Sequence, residues 1–313
     1  MSRYNAGDNL DGYFIVELLG TGAYNESYKA TDTRTGKTVV LKIPDPNLFA
    51  DPATYNRYKR EADIAKKLHH PAVQGAIDDR EKRSEPYLVL SFVEGESLST
   101  RLRREGGAFS IPLVVDWGGQ LATALAYLHA QGVVHRDLKP GNVLVGAGDR
   151  LVIADFGTAH LDGARRLTFK HLTGMLGTPD YMSPEQAQGS RGDARSDLYA
   201  WGVMMYQLLT GKVPFTGGDW MLTMAAHLQS DPKPIRQLRP EVPLGLEAIV
   251  GHAMRRYPEH RYASADEILR DLNRSESLNL QTYDLSPEKP MGSLVAGGAG
   301  KGLFGRMFKN RGG

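Results

Sequence analysis

No cysteine occurs among the 313 residues. Disulfides, thiolate catalysis and cysteine–zinc sites are thereby excluded, although the absence does not fix a compartment. No run of about 18 apolar residues occurs either, so no membrane-spanning helix is expected. An excess of one charge is also missing: 38 Lys and Arg stand against 36 Asp and Glu, a net charge of +2. That balance gives no global field for nucleic acid or for a membrane surface. The N-terminus, MSRYNAGDNLDG, lacks the basic-then-apolar pattern of a secretory leader, and a cytoplasmic setting is the expectation. The length suffices for one large or two ordinary domains with a real core.

What is present is concentrated between His135 and Gly157, which reads HRDLKPGN, a short apolar run, then ADFG. Asp137, Asn142 and Asp155 carry oxygen atoms suited to a magnesium–nucleotide. The apolar pair Val143-Leu144 and the run Leu151-Val152-Ile153 flank the turn-like GAGD of residues 146 to 149, which predicts a hairpin. Closing that hairpin returns Asp155 to the neighbourhood of Asn142. Mg²⁺ takes oxygen ligands and keeps several waters, so one carboxylate, one amide and substrate phosphates suffice.

Upstream, Tyr13 to Leu19 and Tyr28 to Ala30 read as two strands around Gly20-Thr21-Gly22. A tight glycine turn lets backbone N–H groups approach phosphate oxygens, but alone it is a weak signal. Thr38 to Ile43 is a β-rich run in which Lys42 needs a partner. From Thr54 to Leu68 the pattern is helical, with Tyr58, Glu61, Ala65 and Leu68 on one face. A carboxylate in an apolar stripe is costly unless paired, and Lys42 is the natural counterpart of Glu61. Tyr87 to Phe92 reads as a buried strand. Trp117, Leu121, Leu125 and Leu128 mark a core helix ending near Gly132, and Asp197 to Leu209 is apolar almost all round, as a buried helix is. Further helices are expected over 219–228 and 245–254, with a capped one over 264–272 carrying Glu267 three residues after Ser264.

These motifs, in this order, resemble the protein-kinase signature, and residues 11 to about 274 resemble a eukaryotic-like, bacterial-type Ser/Thr protein kinase throughout. The resemblance implies an α+β bilobal kinase fold, with a small β-rich N-lobe holding one key helix and a larger, mainly helical C-lobe. The expected division is a polar lead over 1–10, N-lobe over 11–93, C-lobe over 94–274, and a flexible Gly-rich tail over 275–313. It implies transfer of the ATP γ-phosphoryl group to protein hydroxyls with Mg²⁺, Mn²⁺ being an admissible substitute. Asp137 would orient the acceptor hydroxyl, Lys139 would neutralise the γ-phosphate, and Asn142 and Asp155 would hold the metal. Lys42, fixed by Glu61, would place the α- and β-phosphates. Leu19, Gly20, Thr21, Gly22, Ser27, Val40, Leu90, Leu144 and the backbones of Ser91 and Val93 would surround the nucleotide, with Leu90 as gatekeeper.

Departures are visible too. Asn25 stands where the family has a third glycine, and its tolerance of left-handed backbone would preserve the turn. Ser27 replaces a valine over the adenine. Lys139 and the segment from Gly177 to Glu185 (GTPDYMSPE) imply Ser/Thr specificity, and Thr158 after the DFG leans toward threonine acceptors. Asp197 would anchor the catalytic loop, and Glu185 would pair with Arg261. Arg136 with Thr168 or Thr173 implies activation by autophosphorylation. Two other classes stay open, a nucleotide-binding pseudokinase scaffold and a small-molecule kinase on a related fold. The end of the tail, with Lys301, Arg306, Lys309 and Arg311 among Leu303, Phe304, Met307 and Phe308, reads as a solvated end; the sharper alternative is a weak anchor to anionic lipid or a partner. The oligomeric state has no sequence signal.

Overall fold

The computed structural model describes residues 2–22, 25–46, 52–77, 83–157, 159–161, 179–283 and 286–291. Alternating burial builds the first lobe. Strands β1 (Asn9–Leu10), β2 (Tyr13–Thr21), β3 (Asn25–Asp32) and β4 (Thr38–Pro44) are followed by helix α1 (Pro52–Lys67) and strand β5 (Leu88–Ser91). The five strands form one antiparallel sheet in the order β1-β2-β3-β4-β5. Its two faces have separate cores, because side chains alternate along each strand. Tyr13, Ile15, Tyr28, Ala30, Val39, Leu41, Ile43, Tyr87 and Val89 pack on one side. Val40, Leu88 and Leu90 pack on the other against Ala65 of α1.

The second lobe begins with strand β6 (Gly95–Ser97), helices α2 (Leu98–Glu105) and α3 (Ile111–Ala130), and strand β7 (Val133–Val134). Strands β8 (Val143–Gly146) and β9 (Leu151–Ile153) form the expected hairpin, and β10 (His160–Leu161) pairs with β7. The hairpin turn needs left-handed backbone at two consecutive positions, and Gly148 (φ 68°) and Asp149 (φ 56°) supply it. Helices α4 (Pro184–Ala187), α5 (Ala194–Thr210), α6 (Trp220–Gln229), α7 (Ile235–Leu238), α8 (Leu244–Ala253) and α9 (Ala265–Leu272) complete it. Thirteen of the seventeen residues of α5 are buried, so it forms the axis on which α3 and α8 pack. Gly211 at φ 73° ends it in the left-handed cap typical of helix C-termini.

The structure differs from the sequence reading at four places. The polar lead is part of the N-lobe: Leu10 is buried in its core, β1 pairs with β2, and the Tyr4 ring meets Tyr28 edge-on at 5.9 Å. Residues 275–283 and 286–291, expected as flexible tail, are seated on the C-lobe. Tyr283 bonds to Asp271, Glu288 binds Arg255 and His260, and the Met291 N–H donates to the Leu228 carbonyl at 2.9 Å. Periodicity missed this segment because its anchors are single side chains, not a repeating face. Asn25 lies in β3 opposite Pro44, not in a left-handed turn. The expected cap on α9 is made differently: Ser264 makes no side-chain cap bond, and Glu267 accepts from the Ala263 N–H at 2.8 Å. Residues 292–313, including the basic cluster, lie outside the described residues.

Candidate active site

The site is assembled from side chains more than a hundred residues apart. Lys42 sits in β4 between Leu41 and Ile43, and Glu61 projects from the buried face of α1; both are under a tenth exposed. Their charged atoms meet at 2.5 Å. Lys42 Nζ also donates to Asp155 Oδ1 at 2.8 Å. Burial alone would lower the Lys42 pKa, but the Glu61 and Asp155 carboxylates outweigh it and hold it above the ordinary lysine value. Burial would raise Asp155; the Lys42 charge and its hydrogen bond, with the Gly157 N–H at 3.2 Å, reverse this and push its pKa down to about 2. Asp155 stands at φ 64°, a conformation a non-glycine residue holds only where its surroundings impose it. Phe156, next in the chain, is buried with its ring 5.3 Å from that of His135. This anchor fixes where Asp155 emerges.

The loop before β8 supplies the rest. Lys139 Nζ lies 2.7 Å from Asp137 Oδ2. Asn142 Nδ2 donates to the Asp137 carbonyl at 2.8 Å and to its carboxylate at 3.1 Å, which leaves Asn142 Oδ1 as the amide atom able to bind a cation. The Ala154 N–H donates to the Asn142 carbonyl at 2.9 Å, so the β8–β9 hairpin brings the Asp155 strand to Asn142 as the spacing predicts.

A buried acid holds that loop. Asp197, at the start of α5, accepts from the main-chain N–H groups of His135 (2.9 Å) and Arg136 (2.8 Å) and bonds the His129 ring at 2.9 Å. Burial would raise its pKa, but the His129 hydrogen bond, nearby charge and the Arg136 N–H lower it, so it remains ionised. Arg136 takes φ 68°, and Gln186 Nε2 donates to its carbonyl at 2.9 Å. Arg261 and Glu185 form a two-pronged pair at 2.9 and 2.7 Å, tying α4 to the loop before α9.

The residues expected around a nucleotide lie as follows. Gly20 pairs with Ser27, and Ser27 with Lys42, so Ser27 shares a sheet face with Lys42. Leu19 is exposed, Thr21 faces Glu26 in the ladder, and the Gly22 N–H donates to the Asn25 carbonyl at 2.7 Å. Val40 lies opposite Leu90 across β4 and β5, Val93 lies in the link between the lobes, and Leu144 is half-buried in β8. Ser91 is bonded within the protein at both its backbone groups. Its N–H donates to the Gly75 carbonyl at 3.1 Å, and its carbonyl accepts from Gln74 Nε2 at 2.8 Å. Its N–H is therefore taken by protein, while its carbonyl keeps a second lone pair. Thr158, Thr168 and Thr173 lie outside the described residues. A groove of about 980 Å³ between α3, α8 and α9 contains none of the candidate residues.

Sequence reasoning missed Gln74, His129 and Gln186. Gln74 had a readable signal, a lone amide in the otherwise apolar stretch AVQGAI. His129 and Gln186 gave none, since each acts on a partner at least fifty residues away.

Similarity to known proteins agrees with this geometry. The protein kinase domain family matches residues 13–271. A probable serine/threonine-protein kinase of Streptomyces coelicolor is 35% identical over 292 residues, covering 92% of this chain and 43% of that protein. Serine/threonine-protein kinase PknB of Mycobacterium tuberculosis is 34% identical over 271 residues, 84% of this chain and 43% of PknB. The chain thus spans less than half the length of these curated relatives. The crystal structure of the Mycobacterium tuberculosis PknI kinase domain superposes with a TM-score of 0.66 at 25% identity, covering 87% of this chain and 99% of that domain. With the family spanning most of the chain and its fold matched along the whole of a solved relative, this chain belongs to the protein kinase domain family.

Proposed function

We propose that the chain is a serine/threonine protein kinase, moving the γ-phosphoryl group of ATP onto Ser or Thr hydroxyls of proteins. The observation that carries this reading is the convergence of Lys42, Glu61 and Asp155 in one ion cluster beside Asp137, Lys139 and Asn142. Phosphoryl transfer asks for positioning and charge neutralisation more than for covalent chemistry, and this set provides both. The bond from the β–γ bridging oxygen to the γ-phosphorus breaks, and one from the acceptor oxygen forms. Asp137 accepts the hydroxyl proton as that bond forms. Lys139, already on the Asp137 carboxylate, is positioned to neutralise charge on the transferred group. Lys42, held by Glu61, places the α- and β-phosphates.

Asp155 and Asn142 Oδ1 fit a divalent cation. Half of the Asp155 side chain is open to solvent, and the Asn142 amide is oriented by its bonds to Asp137. Among the described residues no cluster of three or more His, Cys, Asp or Glu forms a closed cage. One carboxylate and one amide suit Mg²⁺, which keeps waters and phosphate oxygens as its other ligands. When bound, Mg²⁺ or Mn²⁺ neutralises the phosphate oxygens during transfer.

The proposal extends to partners and control. Protein substrates and ATP are the partners, and ATP use places the action in the cytoplasm. No helix among the described residues is long and apolar enough to cross a membrane. Autophosphorylation at Thr168 or Thr173 would present a phosphate to Arg136, whose guanidinium now donates to the Gly192 carbonyl at 3.4 Å. Phosphopeptide mapping after incubation with ATP tests that extension, and neither threonine modified removes it. For the activity, labelled-phosphate transfer to a generic protein is compared between the native chain and Asp137→Asn. A drop of about 10²–10⁴-fold is expected; equal, negligible signal from both overturns the reading in favour of a nucleotide-binding scaffold.

A further inference from the structure

We propose that Gln74 is a positioning residue for nucleotide recognition, tying the end of β5, where the lobes meet, to β9, the strand that leads to Asp155. The inference rests on the kinase reading above and names a residue that no kinase motif of this sequence contains.

Gln74 is 6% exposed and lies between apolar Val73 and the close-packed Gly75. A buried amide is costly unless its hydrogen bonds are met, so a position serving packing alone favours an aliphatic side chain. Gln74 is bonded in two directions. Its main-chain N–H donates to the Ile153 carbonyl at 2.8 Å, and the Ile153 N–H returns to the Ala72 carbonyl at 2.9 Å. Residues 72–74 thus run beside β9 as a short parallel bridge, two residues before Asp155. The side chain points the other way, donating to the Ser91 carbonyl at 2.8 Å. A carbonyl only accepts, so this partner fixes the amide orientation.

The surroundings leave this junction little freedom. The Ser91 N–H donates to the Gly75 carbonyl, and Ala76 bridges to Leu90, so 75–76 lies along the end of β5. The Ala76 N–H donates to the Ala65 carbonyl of α1. A Cβ on Gly75 would fall 2.6 Å from the Leu68 carbonyl, so only glycine passes there without a shift. One residue therefore contacts the end of β5 and the strand leading to Asp155 directly, while its neighbours contact the helix of Glu61. The Ser91 carbonyl has two lone pairs, and Gln74 takes one. The other is held in a set direction, suited to the exocyclic amino group of adenine.

The test uses the full chain with Gln74→Leu and Gln74→Met, which preserve volume and remove the donor. Loss of one well-placed hydrogen bond predicts a rise of about five- to tenfold in KM for ATP, with KM for a protein substrate unchanged. Selectivity for ATP over inosine triphosphate, whose 6-oxo group cannot donate, falls in the same variants. Unchanged KM for ATP and unchanged selectivity, with only a lower unfolding temperature, overturns the proposal and leaves Gln74 a packing residue. Should both variants fail to fold, hydrogen exchange on the native chain decides. A magnesium–nucleotide analogue that cannot transfer phosphate is expected to slow exchange over 72–77 together with 89–93. Slowing over 89–93 alone overturns the coupling. That measurement needs only nucleotide binding, so an absence of phosphate transfer, which would sink the kinase reading, is distinguished from failure of the coupling.

Discussion

Lys42 is the residue at which stability and chemistry are hardest to separate. An ammonium buried in a strand persists because two carboxylates face it, and Glu61 is buried because Lys42 faces it. Removing one partner of such a pair leaves an uncompensated charge, which costs about 3–5 kcal/mol. Lys42→Met is therefore expected to lose stability of that order in denaturant unfolding and to lose phosphate transfer by at least about 10²-fold, the usual cost of deleting a charge-stabilising group. The double variant Lys42→Met with Glu61→Leu separates the roles: stability returns in large part, because apolar replacement of a buried pair is often nearly neutral, while transfer stays lost. Recovery of transfer in the double variant would deny Lys42 its chemical role.

At the scale of elements, α6 is keyed to the core by His227. The ring is fully buried, its Nδ1 lies 2.7 Å from the Tyr199 hydroxyl, and the Phe215 ring packs against it at 4.6 Å, tilted by 50°. Burial pushes its pKa down from the ordinary 6.5 to about 3. A histidine depressed on folding contributes stability fully present above pH 6.5 and lost as pH falls toward 3, because the unfolded chain takes up the proton first. Between pH 7.5 and 5, above most carboxylate titrations, unfolding free energy should fall by up to about 2 kcal/mol, at about 1.36 kcal/mol per pH unit. His227→Gln should lessen that slope, the part due to His252, which burial also depresses, remaining, and leave the behaviour above pH 7 parallel. Urea midpoints measured across this range check it, and a slope undiminished in His227→Gln refutes it.

At the scale of the whole molecule, residues 275–283 and 286–291 join parts that sequence distance keeps separate. The first stretch follows α9, packs on α8 and bonds Asp271 through Tyr283; the second reaches the end of α6 at Met291. The crossing depends on Gly245, where a Cβ would fall 1.8 Å from the Ser275 carbonyl. Alanine normally strengthens a helix relative to glycine, yet Gly245→Ala is expected to destabilise by about 1–3 kcal/mol, as overpacking does, and to speed hydrogen exchange over 275–291. A stabilised Gly245→Ala chain would show that this crossing yields easily.

The sequence by itself determined which groups are candidates for chemistry, and their order. The HRDLKPGN and ADFG strings, the lone lysine in a β-rich run and the glutamate in an apolar helical stripe were legible because each is local, and burial makes an unpaired charge costly. Core elements were legible for the same reason: the periodicity of α3 and the nearly all-round apolarity of α5 follow from which surfaces must leave water. Tertiary structure alone decided what depends on long-range closure. It placed Asn25 in a strand, brought Gln74 to Ser91 and Gln186 to Arg136, and folded the lead and residues 275–283 and 286–291 onto the lobes. Single hydrogen bonds between distant residues leave no period in the sequence. Their partners become near neighbours only after the apolar faces have packed.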